Sequence, residues 1–194
     1  MSAEFEDLLA KARDGKREAI EALLAPQLGA LTAFVRLRID GGIARRESAA
    51  DVVQSVCREV LGDLESLRAR DERGFRAWLF ALVANKLSSK RDWHRAARRD
   101  VRRELALDAA IGPAPLLGAY SRAATPSRAA EAKEEVARIE DAFDRLPEHY
   151  RDVLVLVSIA ELSYAETAAV LDRSEDSVRQ ITHRARARLA TLLE

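Results

Sequence analysis

The run SVRQITHRARARL, residues 177–189, places Arg179, Gln180, His183 and Arg184 at positions from which side chains can meet nucleic acid. Arg and Gln form bidentate hydrogen bonds with guanine and adenine edges, and neighbouring arginines bind phosphate. Arg186 and Arg188 continue the run, and no acid interrupts it from Arg179 to Leu189. Val178, Ile181, Ala185 and Leu189 recur at helical spacing, so a buried stripe would leave Arg179, Gln180, Thr182, His183 and Arg186 largely outside it.

A second basic segment, KLSSKRDWHRAARRDVRR, holds eight Lys or Arg between Lys86 and Arg103 against Asp92 and Asp100. Trp93 stands among these charges. Aromatics interleaved with cations suit a surface that holds phosphates and meets unstacked bases. Asn85 lies seven residues beyond Trp78, almost in line with it on a helix, at the edge of the apolar face where the basic part begins. Each basic segment also has a plainer reading, a solvated helix face, with Trp78 a core residue.

Catalytic chemistry has no comparable set. His94, His149 and His183 are far apart, and no metalloprotease helix motif, phosphate-binding loop, dinucleotide turn or nucleophile motif is found. The chain therefore reads as no enzyme, with no cofactor and no metal. Cys57 is alone, which excludes an internal disulfide and a cysteine-based zinc site and suits a small buried hydrophobe in a reducing compartment. Lys plus Arg number 32 and Asp plus Glu number 32, so only the local distribution of charge can indicate a partner.

The elements that must position these residues are helical. Phe5, Leu8, Leu9 and Ala12 form one stripe before a break at Gly15, and a second helix from about Arg17 carries Ile20, Leu23 and Leu24. Pro26 begins or kinks a segment with Leu28, Leu31 and Val35. Ser48, with Asp51 three residues on, makes an N-cap arrangement for a helix striped with Val52, Val53, Val56, Val60 and Leu64. A polar loop ending at Gly74 leads into a long helix with Phe75, Trp78, Leu79, Leu82 and Val83 on one face.

Between about Leu105 and Ala130, Pro113, Pro115 and Pro126 with Gly112 and Gly118 mark a flexible linker. A second helical block then begins near Glu131. Ser163 with Glu166 forms a capping box. Asp172-Arg173 makes a short turn where a positive φ is plausible at Asp172, and Ser174 caps the last helix. Two short helices, a tight turn and a basic second face describe a helix-turn-helix. The expected fold is all-α, two small helical domains on a tether, with boundaries 1–104, 105–130 and 131–194. No apolar run is long enough to span a bilayer and the N-terminus lacks a signal-peptide core, so the expected location is cytoplasmic, away from membranes.

SAADVVQSVCREVL, FRAWLFALVANKL, AFDRLPEHYRDVLVL and LSYAETAAVLDRSEDSVRQITHRARARL together resemble an extracytoplasmic-function (ECF) sigma factor of the sigma-70 family. The resemblance covers nearly all of the chain except the linker. It implies an RNA polymerase sigma factor that binds core RNA polymerase and the minus-10 and minus-35 elements of promoter DNA.

Asp51, Val52, Val53 and Gln54 match the helix that docks on core polymerase. Asn85 matches the position that captures a flipped minus-10 base, and Lys86, Lys90, Arg91 and Arg95 would hold phosphates nearby. Arg179, Gln180, His183 and Arg184 match the minus-35 recognition helix. An anti-sigma protein or a regulatory kinase is the further partner that such a family implies. Ser55 stands where the family usually has an acid, Cys57 where it has an aromatic, and Asp172 where the turn often has Gly. The alternative is an ordinary helix-turn-helix regulator, which would need only the C-terminal part.

Overall fold

The computed structural model describes residues 2–39, 48–64, 67, 69, 71–95, 120 and 133–194, with the side chains of 2, 3, 88–95 and 133 outside that description. Every element among the described residues is helical. The N-terminal half holds α1 (Ser2–Arg13), α2 (Arg17–Leu24), a 3-10 turn at Ala25–Gln27, α3 (Leu28–Arg38), α4 (Ala49–Asp63) and α5 (Glu72–Arg95). The C-terminal half holds α6 (Lys133–Asp144), α7 (Glu148–Leu154), a π-turn at Val155–Ile159, α8 (Tyr164–Leu171) and α9 (Glu175–Leu193).

Local chemistry sets most of the helix ends. Gly15 takes φ +76° between α1 and α2, a conformation open to a residue without Cβ. Pro26 sits inside the 3-10 turn that joins α2 to α3. The Ser48 hydroxyl accepts from the Asp51 N–H, and the Asp51 carboxylate accepts from the Ser48 N–H, so α4 begins on a complete capping box.

The long helix starts at Glu72, three residues earlier than a loop ending at Gly74 implies. Asp71 Oδ1 accepts from the Gly74 N–H at 2.7 Å, so the acid caps the helix and Gly74 lies in its first turn. A Cβ on Gly74 would stand 3.1 Å from that same oxygen, which favours glycine there.

In the C-terminal half, Ser163 and Glu166 form the second capping box, and Ser174 accepts from the Ser177 N–H to start α9. Asp172 closes α8 at φ 51°, ψ 53°, the left-handed conformation that the turn requires and that Asp tolerates better than most residues.

The core of the N-terminal half lies between α3, α4 and α5. Phe34 and Phe80 are fully buried, with ring centroids 5.2 Å apart and tilted by 58°. Val52, Val56, Val60, Leu79, Val83 and Leu87 fill the space around them. Leu28, grouped by sequence with Leu31 and Val35, is instead exposed, because it occupies the first position of α3 beyond the packed face.

The run Arg17–Arg38 is 22 residues long and apolar enough, by length and composition, to cross a membrane, contrary to the sequence expectation. Half of its apolar window is buried inside the protein, and Leu23, Leu31, Phe34 and Val35 point into this core. It is the central packing element of the N-terminal half.

The two halves share one core. α3 packs on α6, α7 and the π-turn, and α8 touches α5. A single buried cluster runs from Leu9 to Leu189, while Val153, Ala168, Val178 and Ile181 form a satellite within the helix-turn-helix. A tether of this composition leaves the arrangement of the halves open; their side chains close it.

Arginines dominate the seam. Arg38 Nη2 lies 2.7 Å from Asp152 Oδ1, and Arg36 Nε lies 2.7 Å from Glu140 Oε1. Arg73 donates twice to the Glu166 carboxylate. Arg76 donates to the carbonyls of Ala160 and Ile159 and to Gln27 Oε1, and so satisfies carbonyls at the C-terminal end of a helix from across the seam.

Candidate nucleic-acid and polymerase interfaces

The face of α9 away from its core carries the first candidate interface. Val178, Ile181, Ala185 and Leu189 are buried as their spacing predicts, and Arg179, Gln180, His183 and Arg184 are all exposed. Four groups able to address bases and phosphates therefore share one open surface. Thr182 departs from expectation: it is buried, because its hydroxyl donates to the Val178 carbonyl one turn back and needs no water. Arg186 is half-buried rather than free on the surface.

Arg179 is held from two sides. Its Nη2 donates to Glu175 Oε1 at 3.1 Å, and its guanidinium carbon stands 5.7 Å from the centre of the Tyr164 ring. The Tyr164 contact joins the two helices of the motif and passed unnoticed in the sequence, where the residues are fifteen positions apart. The capping carboxylate of Glu166 also serves the seam. Burial alone would raise its pKa, but the Ser163 hydroxyl, the Arg73 guanidinium and the Ser163 N–H together hold it below its ordinary value.

The second candidate is a groove of about 390 Å³ between α4 and α5. Glu59, Asp63, Trp78, Ala81, Leu82, Asn85 and Lys86 line it. Asn85 is exposed at its rim, and Trp78 is half-buried in its wall, packed against the core with its ring tilted to that of Phe75. An apolar wall beside a side-chain amide can receive an unstacked base and hydrogen-bond its edge. Lys86 is paired with Glu59 across the groove, so its charge is partly matched within the protein. The side chains of Lys90, Arg91 and Arg95 lie outside the described residues, although their backbone continues α5.

The third candidate is the outer face of α4. Asp51 and Gln54 are exposed, but Val52 and Val53 are buried in the core and offer no surface to a partner. Their apolar spacing already places them in the packed stripe of the helix that the resemblance assigns to polymerase docking. The Asp51 carboxylate is engaged by Ser48: the hydroxyl first, then the backbone N–H, lower its pKa. Gln54, Arg58 and Leu61 face outward together, each about one helical turn from the next, with Leu61 52% exposed. The i, i+4, i+7 spacing from Gln54 is the signal that could have found Arg58 and Leu61. Cys57, on the neighbouring stripe, packs partly against the core, and burial pushes its thiol pKa up.

Of the acids on α6 and α7, Glu134, Glu135 and Asp141 are exposed, whereas Glu140 and Asp152 face the arginines of α3. No group of His, Cys, Asp and Glu suited to hold a metal occurs among the described residues.

Residues 137–189 match the family model described as Sigma-70, region 4. Over 183 residues the chain is 32% identical to the ECF RNA polymerase sigma factor SigD of Mycobacterium tuberculosis (strain ATCC 25618 / H37Rv), covering 94% of this chain and 80% of that one. Over 188 residues it is 33% identical to the RNA polymerase sigma factor CnrH of Cupriavidus metallidurans, covering 96% and 93%.

The solved structure of CnrH in complex with the cytosolic domain of CnrY is similar at a TM-score of 0.63 and 29% identity, over 97% of this chain and 96% of that chain. An exposed basic recognition face, a groove with a polar rim and similarity along almost the whole length lead to one assignment: the chain belongs to the ECF RNA polymerase sigma factors.

Proposed function

We propose that this chain directs promoter-specific initiation through three separate surfaces. The outer face of α4, with Gln54, Arg58 and Leu61, docks on core RNA polymerase, while Val52 and Val53 hold that helix in place. The groove at Asn85 takes an unstacked minus-10 base, with Lys86, Lys90, Arg91 and Arg95 beside the phosphates. Arg179, Gln180, His183 and Arg184 contact the minus-35 element from α9, through base edges and phosphates. The single observation that carries the reading is the common exposure of those four α9 side chains over a stripe of buried ones.

In this reading residues 1–104 and 131–194 act as domains, and 105–130 connects them. Sigma factors are non-catalytic regulators, and none of these roles needs a reaction at the chain itself. The work takes place in the cytoplasm, where promoter DNA and polymerase meet. A regulatory protein partner, as CnrH has in the cytosolic domain of CnrY, belongs to the same reading.

The test is run-off transcription from a pool of upstream genomic fragments, with core polymerase in the presence and absence of the chain. Discrete new start sites that depend on the protein are expected. Binding of duplex DNA with no new starts would favour an ordinary helix-turn-helix regulator.

A further inference from the structure

Arg179 stands apart from its three exposed neighbours on α9. Its guanidinium carbon lies 5.7 Å from the centre of the Tyr164 ring, and its Nη2 donates to Glu175 Oε1 at 3.1 Å. Among the described residues, Gln180, His183 and Arg184 make no hydrogen bond, ion pair or ring contact through their side chains. Arg179 nevertheless remains 61% exposed, so both contacts leave it open to a ligand. The bond to Glu175 uses one of five N–H donors, and four remain.

Tyr164 is itself held in place. It is the first residue of α8, directly after Ser163, whose hydroxyl accepts from the Glu166 N–H in the capping box. The ring is half-buried and packs against Val153, Ala168, Val178 and Ile181. Val178 and Ile181 belong to the buried stripe of α9, on either side of Arg179 in sequence. One ring therefore packs on the inner stripe of α9 and meets the cation of its outer face. A cation over an aromatic ring is attracted by the negative face of the π-system.

Base reading and phosphate binding ask different things of an arginine. A phosphate contact positions the protein and needs charge, whereas a base edge needs the planar fork in a fixed orientation. A side chain already fixed before its ligand arrives loses less rotamer freedom on binding. The ring and the carboxylate prepare Arg179 for the more demanding role. Arg184, without such contacts among the described residues, suits the simpler one.

We propose that Tyr164 is the positioning residue that makes Arg179 selective: its ring, with Glu175, sets the guanidinium plane for the O6/N7 edge of one guanine, and so determines specificity at a base pair it does not touch. That Arg179 meets a base rests on the function proposed above; the positioning rests on the Tyr164–Arg179–Glu175 contacts. The ring carries the effect, and the tyrosine hydroxyl is dispensable for it.

Fluorescence anisotropy tests this with holoenzyme reconstituted from the full chain, on the cognate promoter duplex and on single-base variants of its minus-35 element. Arg179→Ala identifies the pair the arginine reads, as the one where discrimination collapses. That pair is expected to be G·C, and an A·T pair there would overturn the proposal. At it, wild type and Tyr164→Phe should discriminate by about tenfold, and Tyr164→Leu by about threefold or less. Affinity of Tyr164→Leu for the substituted site, and its salt slope, should match the wild type, because no phosphate contact is lost. Full discrimination by Tyr164→Leu would overturn the proposal. So would an equal loss on every sequence in both Tyr164 variants, which would make the hydroxyl a phosphate donor.

Nuclear magnetic resonance relaxation on the free wild-type chain needs no substitution, and it decides if Tyr164→Leu does not fold. The Arg179 Nε–H should show a higher order parameter than that of Arg184, and equal mobility would overturn the positioning. An Arg179→Ala chain that still discriminates at every pair would sink the base reading and this role with it. A relaxed Arg179→Ala beside an unchanged Tyr164→Leu would sink the role alone.

Discussion

Arg38 of α3 and Asp152 of α7 meet across the seam at 2.7 Å, with the arginine side chain 1% exposed and the aspartate 18%. Removing one partner of a buried pair leaves an uncompensated charge, which typically costs about 3–5 kcal/mol. Asp152→Ala should therefore lower stability by about 3 kcal/mol in urea unfolding monitored by circular dichroism. The double substitution Arg38→Met with Asp152→Leu removes both charges and should recover most of that loss. A double variant no more stable than Asp152→Ala would show that the pair does not act as a unit.

Arg179 should matter for sequence and not merely for charge. It is exposed on α9 and steadied by Glu175 and Tyr164. Arg179→Ala should weaken binding to the cognate minus-35 element by about 1–3 kcal/mol and relax the base preference at one position. Arg179→Lys should not restore that preference, because lysine lacks the planar fork. Arg184→Ala should instead weaken binding to all sequences alike and reduce the salt slope by about one. Fluorescence anisotropy on single-base variants at several salt concentrations distinguishes the two effects.

Asn85 should act after binding. Its amide stands at the rim of the α4–α5 groove beside Trp78 and Leu82. Asn85→Ala should leave affinity of the holoenzyme for duplex promoter within about twofold while melting falls about tenfold, given that one lost base contact is worth about 1–3 kcal/mol. Permanganate reactivity of minus-10 thymines reads the melting directly. Equal losses in both measurements would remove Asn85 from the melting step.

Glu166 gives the protein a defined acid sensitivity. Its pKa in the folded state lies below the ordinary value of 4.5, as the Ser163 and Arg73 contacts outweigh burial. A depressed carboxylate contributes stability above its unfolded pKa, and that contribution is lost as pH falls through the folded one. Glu166→Gln should therefore lower Tm by a constant amount well above the carboxylate's ordinary value of 4.5, and the gap from wild type should close as pH falls through the lower folded value. Differential scanning calorimetry from acid to neutral pH checks the shape of that difference. A gap independent of pH would assign the whole effect to packing.

Much of this was legible in the sequence because it depends on residues three or four apart. Ser48 with Asp51 and Ser163 with Glu166 cap their helices in the predicted way, and Asp172 takes the left-handed turn. Exposure of Arg179, Gln180, His183 and Arg184 follows from the same periodicity that buries Val178 and Ile181. Val52 and Val53 lie in the core where their helical stripe puts them.

The seam was decided by tertiary structure. Arg76 reaches the Ala160 carbonyl 84 residues away, and Arg73 reaches Glu166 across 93. Charge balance and periodicity show that arginines and acids exist, but not which will meet. That choice is made where α3 presses on α6, α7 and the π-turn, and only there do Arg36, Arg38 and Tyr120 find their carboxylates. Sequence by itself determined the helices, their caps and the outward basic face, since these follow from short-range geometry. How the two halves sit together depends on packing between surfaces far apart in the chain, and no local pattern encodes it.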